Sequence, residues 1–136
     1  MTVRRKYMER DMDLIRLILL EIEKEYRSTA LYGLKIEGYD MEAIAYQCEL
    51  LYQHGLISDY GSQHGDDTIT DFAVGHLTWE GHDYLDKIRD NSRWGKIKSI
   101  LKEKALPPTI EIIKMMADGL ISAATAAAVS GLNGAK

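Results

Sequence analysis

Residues Asp40 to Ile57 read DMEAIAYQCELLYQHGLI, and this stretch decides the fold. Asp40 stands where a helix needs an N-cap, a short side chain whose oxygen accepts from the first free N–H groups. Met41, Ile44, Cys48 and Leu51 then recur at three and four, which predicts one apolar side of a helix running to about His54. Glu42, Tyr46, Gln47, Glu49 and Gln53 fill much of the rest and are expected on the exposed face. Gly55 falls where a helix end needs left-handed backbone, and Leu56 and Ile57 bring the chain back to the core.

The residues after this helix fit a hairpin. Leu56 to Tyr60 is expected as one strand, Gly61 to Asp67 as a polar tip, and Ile69 to Leu77 as the return, with Phe72 and Val74 on one face. A helix, a glycine, two apolar residues and a strand is how a winged-helix motif passes from its recognition helix into its wing. Upstream, Asp11 opens a helix in which Met12, Ile15, Ile18, Leu19 and Ile22 keep helical spacing. Leu31 to Glu37 reads as a short extended piece. Downstream, Thr78 can cap a helix whose Trp79, His82, Leu85 and Ile88 are expected to point inward. Asn91 and Ser92 are expected to interrupt it before a helix carrying Trp94, Ile97 and Leu101. Pro107 and Pro108 begin a last one, striped by Ile112, Ile113, Met116 and Leu120, with a small-residue tail after it. The predicted class is α+β, mostly α: a winged helix-turn-helix with a two-stranded wing and additional C-terminal helices. Its parts are a basic arm over residues 1–9, the winged-helix domain with appended helices over 10–104, and the last helix with its tail over 105–136.

Composition narrows the functional classes. The chain has 136 residues, 46% of them hydrophobic and 28% charged, enough to build a core and stay soluble. One cysteine, Cys48, excludes an internal disulfide and a zinc-finger framework. The basic start has no apolar signal core after it, and the uncharged stretch Gly119 to Ala135 reads as too short and too weakly apolar to span a membrane. The expected compartment is the cytoplasm.

Charge is sharply segregated. From Ile36 to Asp86 there are eleven acids and no Lys or Arg, whereas the rest of the chain holds seventeen bases against ten acids. One reading is that the acidic centre pairs with basic flanks inside the fold. The other is that an acidic face, with Glu42, Tyr46, Gln47, Glu49, Gln53, Asp59, Asp66 and Asp67, docks on a basic protein surface. A recognition helix and wing without a base would be repelled by duplex phosphates. DNA binding would then need Arg4, Arg5, Lys6, Arg10, Arg93, Lys96, Lys98 and Lys102, from the arm and the helices over 87–104.

No catalytic, cofactor or metal site is expected. His64 with Asp66 and Asp67 fits no metal signature, Cys48 lies on an apolar helix side, and Gly61 and Gly65 sit between strands rather than before a helix. The apolar stripe of the last helix must pack either on its own domain or on the same helix of a second copy, and a homodimer is the expectation.

The order of these strings resembles a known family. RDMDLIR at Arg10–Arg16, ELLYQHGLI at Glu49–Ile57, and LTWEGHDYL at Leu77–Leu85 followed by Ile88-Arg89-Asp90 and Trp94 carry the likeness, which covers about Arg10 to Ile113. The family is a domain of unknown function (family 2513) from Gram-positive bacteria, their phages and prophages, akin to YjcQ-like winged-helix proteins. The resemblance implies the fold and supplies no catalytic or binding residue to carry over.

Overall fold

The computed structural model describes residues 8–134. In order these form α1 (Met12–Glu25), β1 (Leu31–Tyr32), α2 (Met41–His54), β2 (Tyr60–Gly65), β3 (Thr68–Val74), α3 (Trp79–Ile88), α4 (Asn91–Glu103) and α5 (Ile110–Gly134). The protein is α+β and mostly helical, with an antiparallel sheet ordered β1–β3–β2. Two compact units divide it, one ending at Leu85 and one beginning at Asp86, inside α3.

In the first unit, capping behaves as the sequence dictates. The Asp11 carboxylate accepts from Leu14 N–H at 3.1 Å and the Asp40 carboxylate from Ala43 N–H at 2.8 Å. Gly55 takes a φ of 87°, and Leu56 N–H returns to the Leu51 carbonyl at 2.9 Å, closing α2 with a left-handed glycine cap. α1 packs on α2, and α2 packs on the hairpin. Ile15, Ile18, Ile22, Ile44, Cys48, Leu51, Phe72, Val74, Tyr84 and Leu85 are all buried. Met41, expected on the inner side of α2, is exposed.

The hairpin departs from its expected boundaries. Ile57 makes only an isolated bridge to Leu77, and β2 begins at Tyr60, running through the stretch expected as the tip. Two side chains between them intercept backbone donors: the Ser58 hydroxyl accepts from His76 N–H at 2.9 Å, and the Asp59 carboxylate from Tyr60 N–H at 2.9 Å. Backbone bonds from Ser58 N–H to the His76 carbonyl at 2.8 Å and from Gly75 N–H to the Asp59 carbonyl at 2.9 Å still join the two segments here, outside the named strands. Gly65 pairs with Thr68, leaving Asp66 and Asp67 as the turn, with Asp66 at a φ of 58°. The sheet also has a third strand: β1 pairs Leu31 with Val74 and Tyr32 with Ala73. Because β1 lies between them in sequence, α1 and α2 are not joined by the tight turn of a helix-turn-helix.

α3 corrects the expected burial. Its inner side carries Gly81, Tyr84 and Leu85, while His82 is exposed and Trp79 keeps 78% of its surface open. Gly81 is the cause. A side chain there would run into the Leu56 carbonyl oxygen, so its absence lets the α3 backbone press on the chain after α2. That contact turns the Gly81–Tyr84–Leu85 side inward, and Trp79, about half a turn away, outward.

In the second unit, Asp90 caps α4 through Arg93 N–H at 2.8 Å, so Asn91 and Ser92 begin this helix instead of interrupting the previous one. Trp94, Ile97 and Leu101 are buried as their spacing predicts. Pro107 and Pro108 precede α5, and Thr109 caps it, its hydroxyl accepting from Ile112 N–H at 3.1 Å. α5 packs on α4 and buries Ile110, Ile113 and Ala117. It then continues as helix to Gly134, with its surface open beyond Ile121.

By length and composition alone, Ile110–Asn133 is long and apolar enough to cross a membrane, which the uncharged stretch by itself does not indicate. Its first turns are already engaged within the unit: Ile110, Ile113 and Ala117 are buried, and Asp118 pairs with Lys87 at 2.9 Å. Beyond Ile121 the helix is open, and 11% of its apolar window is buried.

Candidate functional site

The candidate acidic face is built by α2 and the hairpin. Glu49 and Gln53 are exposed on α2, Glu42 and Tyr46 are half-buried, and Asp59, Asp66 and Asp67 are exposed around the hairpin. The two elements adjoin electrostatically at Tyr60. Burial pushes the Tyr60 phenol up and the Glu49 carboxylate adds to the rise, against a hydrogen bond with Ser62.

Gln47 does not belong to this face. It is 2% exposed, because position 47 falls between the inward turns of Ile44 and Leu51. Its amide clamps the entry to α1: the oxygen accepts from Asp11 N–H at 2.9 Å and the nitrogen donates to the Glu9 carbonyl at 2.8 Å. Those two bonds satisfy both ends of a buried amide and tie α2 to a segment 36 and 38 residues away.

Several of the exposed acids of the first unit stand without a cation among the described residues. Glu49, Asp66, Asp67, Glu80 and Asp83 engage no cation among the described residues. Ion pairs join Lys24 to Glu25 at 3.9 Å, Asp86 to Arg89 at 2.8 Å and Asp118 to Lys87. Net charge divides with the two units. The first, through Leu85, has sixteen acids and eight bases, net −8; the second has nine bases and five acids, net +4.

Sequence reasoning missed part of the acidic surface. Trp79, Glu80, His82 and Asp83 are exposed on α3, and the signal that could have found them was Gly81, whose missing side chain marks the inner side. Cys48 is fully buried, and burial pushes its thiol to about 12, so it is protonated at neutral pH and packs as an apolar group. Among the described residues no group of three His, Cys, Asp or Glu side chains is arranged to hold a metal ion.

The candidate basic site is spread out. Arg4, Arg5 and Lys6 lie outside the described residues, and Arg10 is exposed in the first unit. On α4, Lys96, Lys98 and Lys102 are exposed, and Arg93 is half-buried with its guanidinium donating to the Lys87 carbonyl at 3.2 Å. At 100° per residue, Arg93 and Lys96 flank one side of the buried Trp94–Ile97–Leu101 ridge, and Lys98 and Lys102 the other, so the four do not form one stripe. The Lys98 ammonium lies 6.0 Å from the Trp94 ring centre. The outward centre of α4 is small instead: Ser92, Gly95 and Ser99, with Lys96, Ile100 and Leu120 of α5, line an open groove of about 500 Å³.

No solved structure matches the chain. An uncharacterized protein of Haemophilus influenzae is 37% identical over 118 residues, covering 85% of this chain and 97% of that relative. The family described as Hypothetical protein (DUF2513) matches over residues 9–107. With most of its length matched and that relative aligned nearly end to end, the chain belongs to this family of hypothetical proteins.

Proposed function

We propose that the chain is a non-catalytic winged-helix protein of phage or prophage type that docks its acidic α2 and hairpin face on a basic surface of another protein and so regulates or inhibits it, in the cytoplasm of a bacterial cell. In this reading α2 is the recognition helix and β2–β3 the wing, supported by the hairpin following directly from the Gly55 cap. One observation carries the docking role: Glu49, Asp66 and Asp67 are exposed and engage no cation among the described residues, in a stretch without Lys or Arg. Such a surface repels phosphates and attracts a Lys- or Arg-rich partner, raising the rate and selectivity of encounter. The test is capture from bacterial lysate on the immobilised chain, beside a variant with Glu42, Glu49, Asp66 and Asp67 all changed to Lys. The wild type is expected to retain a basic protein that the variant, with an unchanged circular dichroism spectrum, does not. Equal recovery of that protein by both removes the reading.

The exposure of Lys96, Lys98 and Lys102 favours a second reading, a transcription regulator gripping DNA through α4 and the basic arm. Duplex binding that weakens steeply with salt supports it, and no binding at low salt removes it. For the uncovered surface of α5 the proposed cover is the same helix of a second copy. Light scattering is expected to give a dimer for the full chain and a monomer for a chain ending at Leu106; two monomers at high concentration remove it.

A further inference from the structure

We infer that Trp79 anchors an arginine-bearing segment of a basic protein partner, its indole face receiving the guanidinium while the Asp83 carboxylate pairs with it. The inference rests on the acidic-docking reading and extends that face from α2 onto α3.

The exposure of Trp79 is the starting observation. A tryptophan is among the most buried side chains on average, and this one leaves 78% of its surface open. Nor is it on a loose segment. Thr78 donates its N–H to the Leu56 carbonyl at 3.0 Å, its hydroxyl binds the Gly55 carbonyl, and the same hydroxyl accepts from Gly81 N–H at 3.0 Å. Gly81 itself is pressed against the Leu56 backbone. The first turn of α3 is thus fixed from two sides, and the indole is held outward before any partner arrives, which lowers the ordering cost of binding.

The surroundings select the occupant. Asp83 lies four residues on and shares the helix face of Trp79, and Glu80 is its neighbour. Both carboxylates are exposed and engage no partner among the described residues. An apolar partner would cover the indole only by stripping water from these charges. A nucleobase stacks on tryptophan too, but its phosphates would meet Glu80 and Asp83 in a stretch, Ile36–Leu85, that offers no Lys or Arg. A guanidinium satisfies both features at once. Its planar face stacks on the ring, and its edge presents N–H donors to a carboxylate at the distance of one helical turn. Lysine, a hydrated point charge, can meet one demand or the other with less precision of fit.

The probe is a short synthetic Arg-Gly repeat peptide titrated into the full chain at low salt, with a Lys-Gly peptide of equal charge beside it. Titration calorimetry follows binding in every variant, and in the wild type tryptophan emission places the event at the indole, since Trp94 is buried and Trp79 is open. Trp79→Ala is expected to weaken Arg-Gly binding about tenfold or more, Trp79→Tyr to keep most of it, and Asp83→Asn to weaken it several-fold, with helix content unchanged. The Lys-Gly peptide is expected to bind more weakly and to lose less in Trp79→Ala. Wild-type affinity in Trp79→Ala, or no Arg-Gly binding by the wild type, overturns the proposal. So does sedimentation showing that Trp79→Ala dissolves a self-associated form, because the indole is then covered by a second copy. The Glu42→Lys, Glu49→Lys, Asp66→Lys, Asp67→Lys variant separates the two readings. If it loses the lysate protein yet keeps Trp79-dependent peptide binding, both stand. If it keeps the lysate protein as well, the α2 face fails and the Trp79 anchor survives.

Discussion

The two units solve the same problem with opposite leftovers. The first, through Leu85, buries one continuous set of apolar residues from α1, α2, β3 and α3, and leaves carboxylates and one tryptophan facing water. The second carries an excess of bases, net +4, and leaves an apolar, small-residue helix uncovered. A charged leftover is soluble and selective, because it recruits a partner of one sign and repels the other. An apolar leftover recruits by area, and the residues beyond Gly119 offer mostly Ala, Ser, Thr and Gly, with little area each. The contrast explains why docking is assigned to the first unit and self-association to the second.

The widest gap between the units is expected in core truncations. Leu51 is 1% exposed at the centre of the first unit, and Leu51→Ala is expected to cost about 2–5 kcal/mol in urea unfolding. Met115 is 71% exposed on α5, directly away from the buried Ile113 side, and Met115→Ala is expected to stay within about 0.5 kcal/mol. Equal losses would erase the distinction between a closed core and an open helix.

Gly81→Ala sharpens the same contrast by adding an atom. The new methyl meets the Leu56 carbonyl, a backbone group that cannot rotate aside, so α3 or the turn after α2 has to move. The expected loss is about 1–3 kcal/mol or more, seen as a lower midpoint in urea. A neutral result would mean that α3 does not press on Leu56, and the stated cause of Trp79 exposure would go with it.

How far these contacts are legible in the sequence depends on the kind of signal. Caps are local and readable: Asp11, Asp40, Gly55 and Thr78 act where their chemistry places them. The apolar spacings of α1 and α4 translate directly into burial. β2 is hidden because Tyr60–Gly65 is almost wholly exposed and carries no apolar alternation; it is held by backbone pairing across a two-residue turn. Trp79 is misleading because a large aromatic at helical spacing outweighs a glycine, although the glycine marks the tighter contact. In the candidate face, Glu49, Gln53, Asp59, Asp66 and Asp67 are legible as exposed polar residues, whereas the role of Gln47 depends on partners 36 and 38 positions away.

Gln47→Ala therefore tests a long-range tie of the first unit, a buried amide where the second unit has the more exposed Lys87–Asp118 pair. Removing the amide leaves Asp11 N–H and the Glu9 carbonyl without their partner at a part-buried helix entry. The expected cost is about 1–3 kcal/mol, with hydrogen exchange accelerated at Asp11 and in the first turn of α1. Acceleration spread evenly over α1 and α2 would point to lost packing instead of a lost clamp.

The smallest effect is of opposite sign and belongs to the second unit. Gly95 lies in the second turn of α4, on its outward side, and a Cβ added there meets no atom within 4 Å. Gly95→Ala removes the flexibility of a glycine within a helix and introduces the best helix former, so it is expected to stabilise by about 0.5–1 kcal/mol in urea unfolding. The added methyl also projects into the groove lined by Ser92, Ser99 and Leu120. If a second copy of α5 approaches closely over that groove, stabilisation of the dilute monomer comes with weaker self-association, and light scattering at high concentration detects the loss. Stabilisation with unchanged association places the dimer contact further along α5, beyond Gly119.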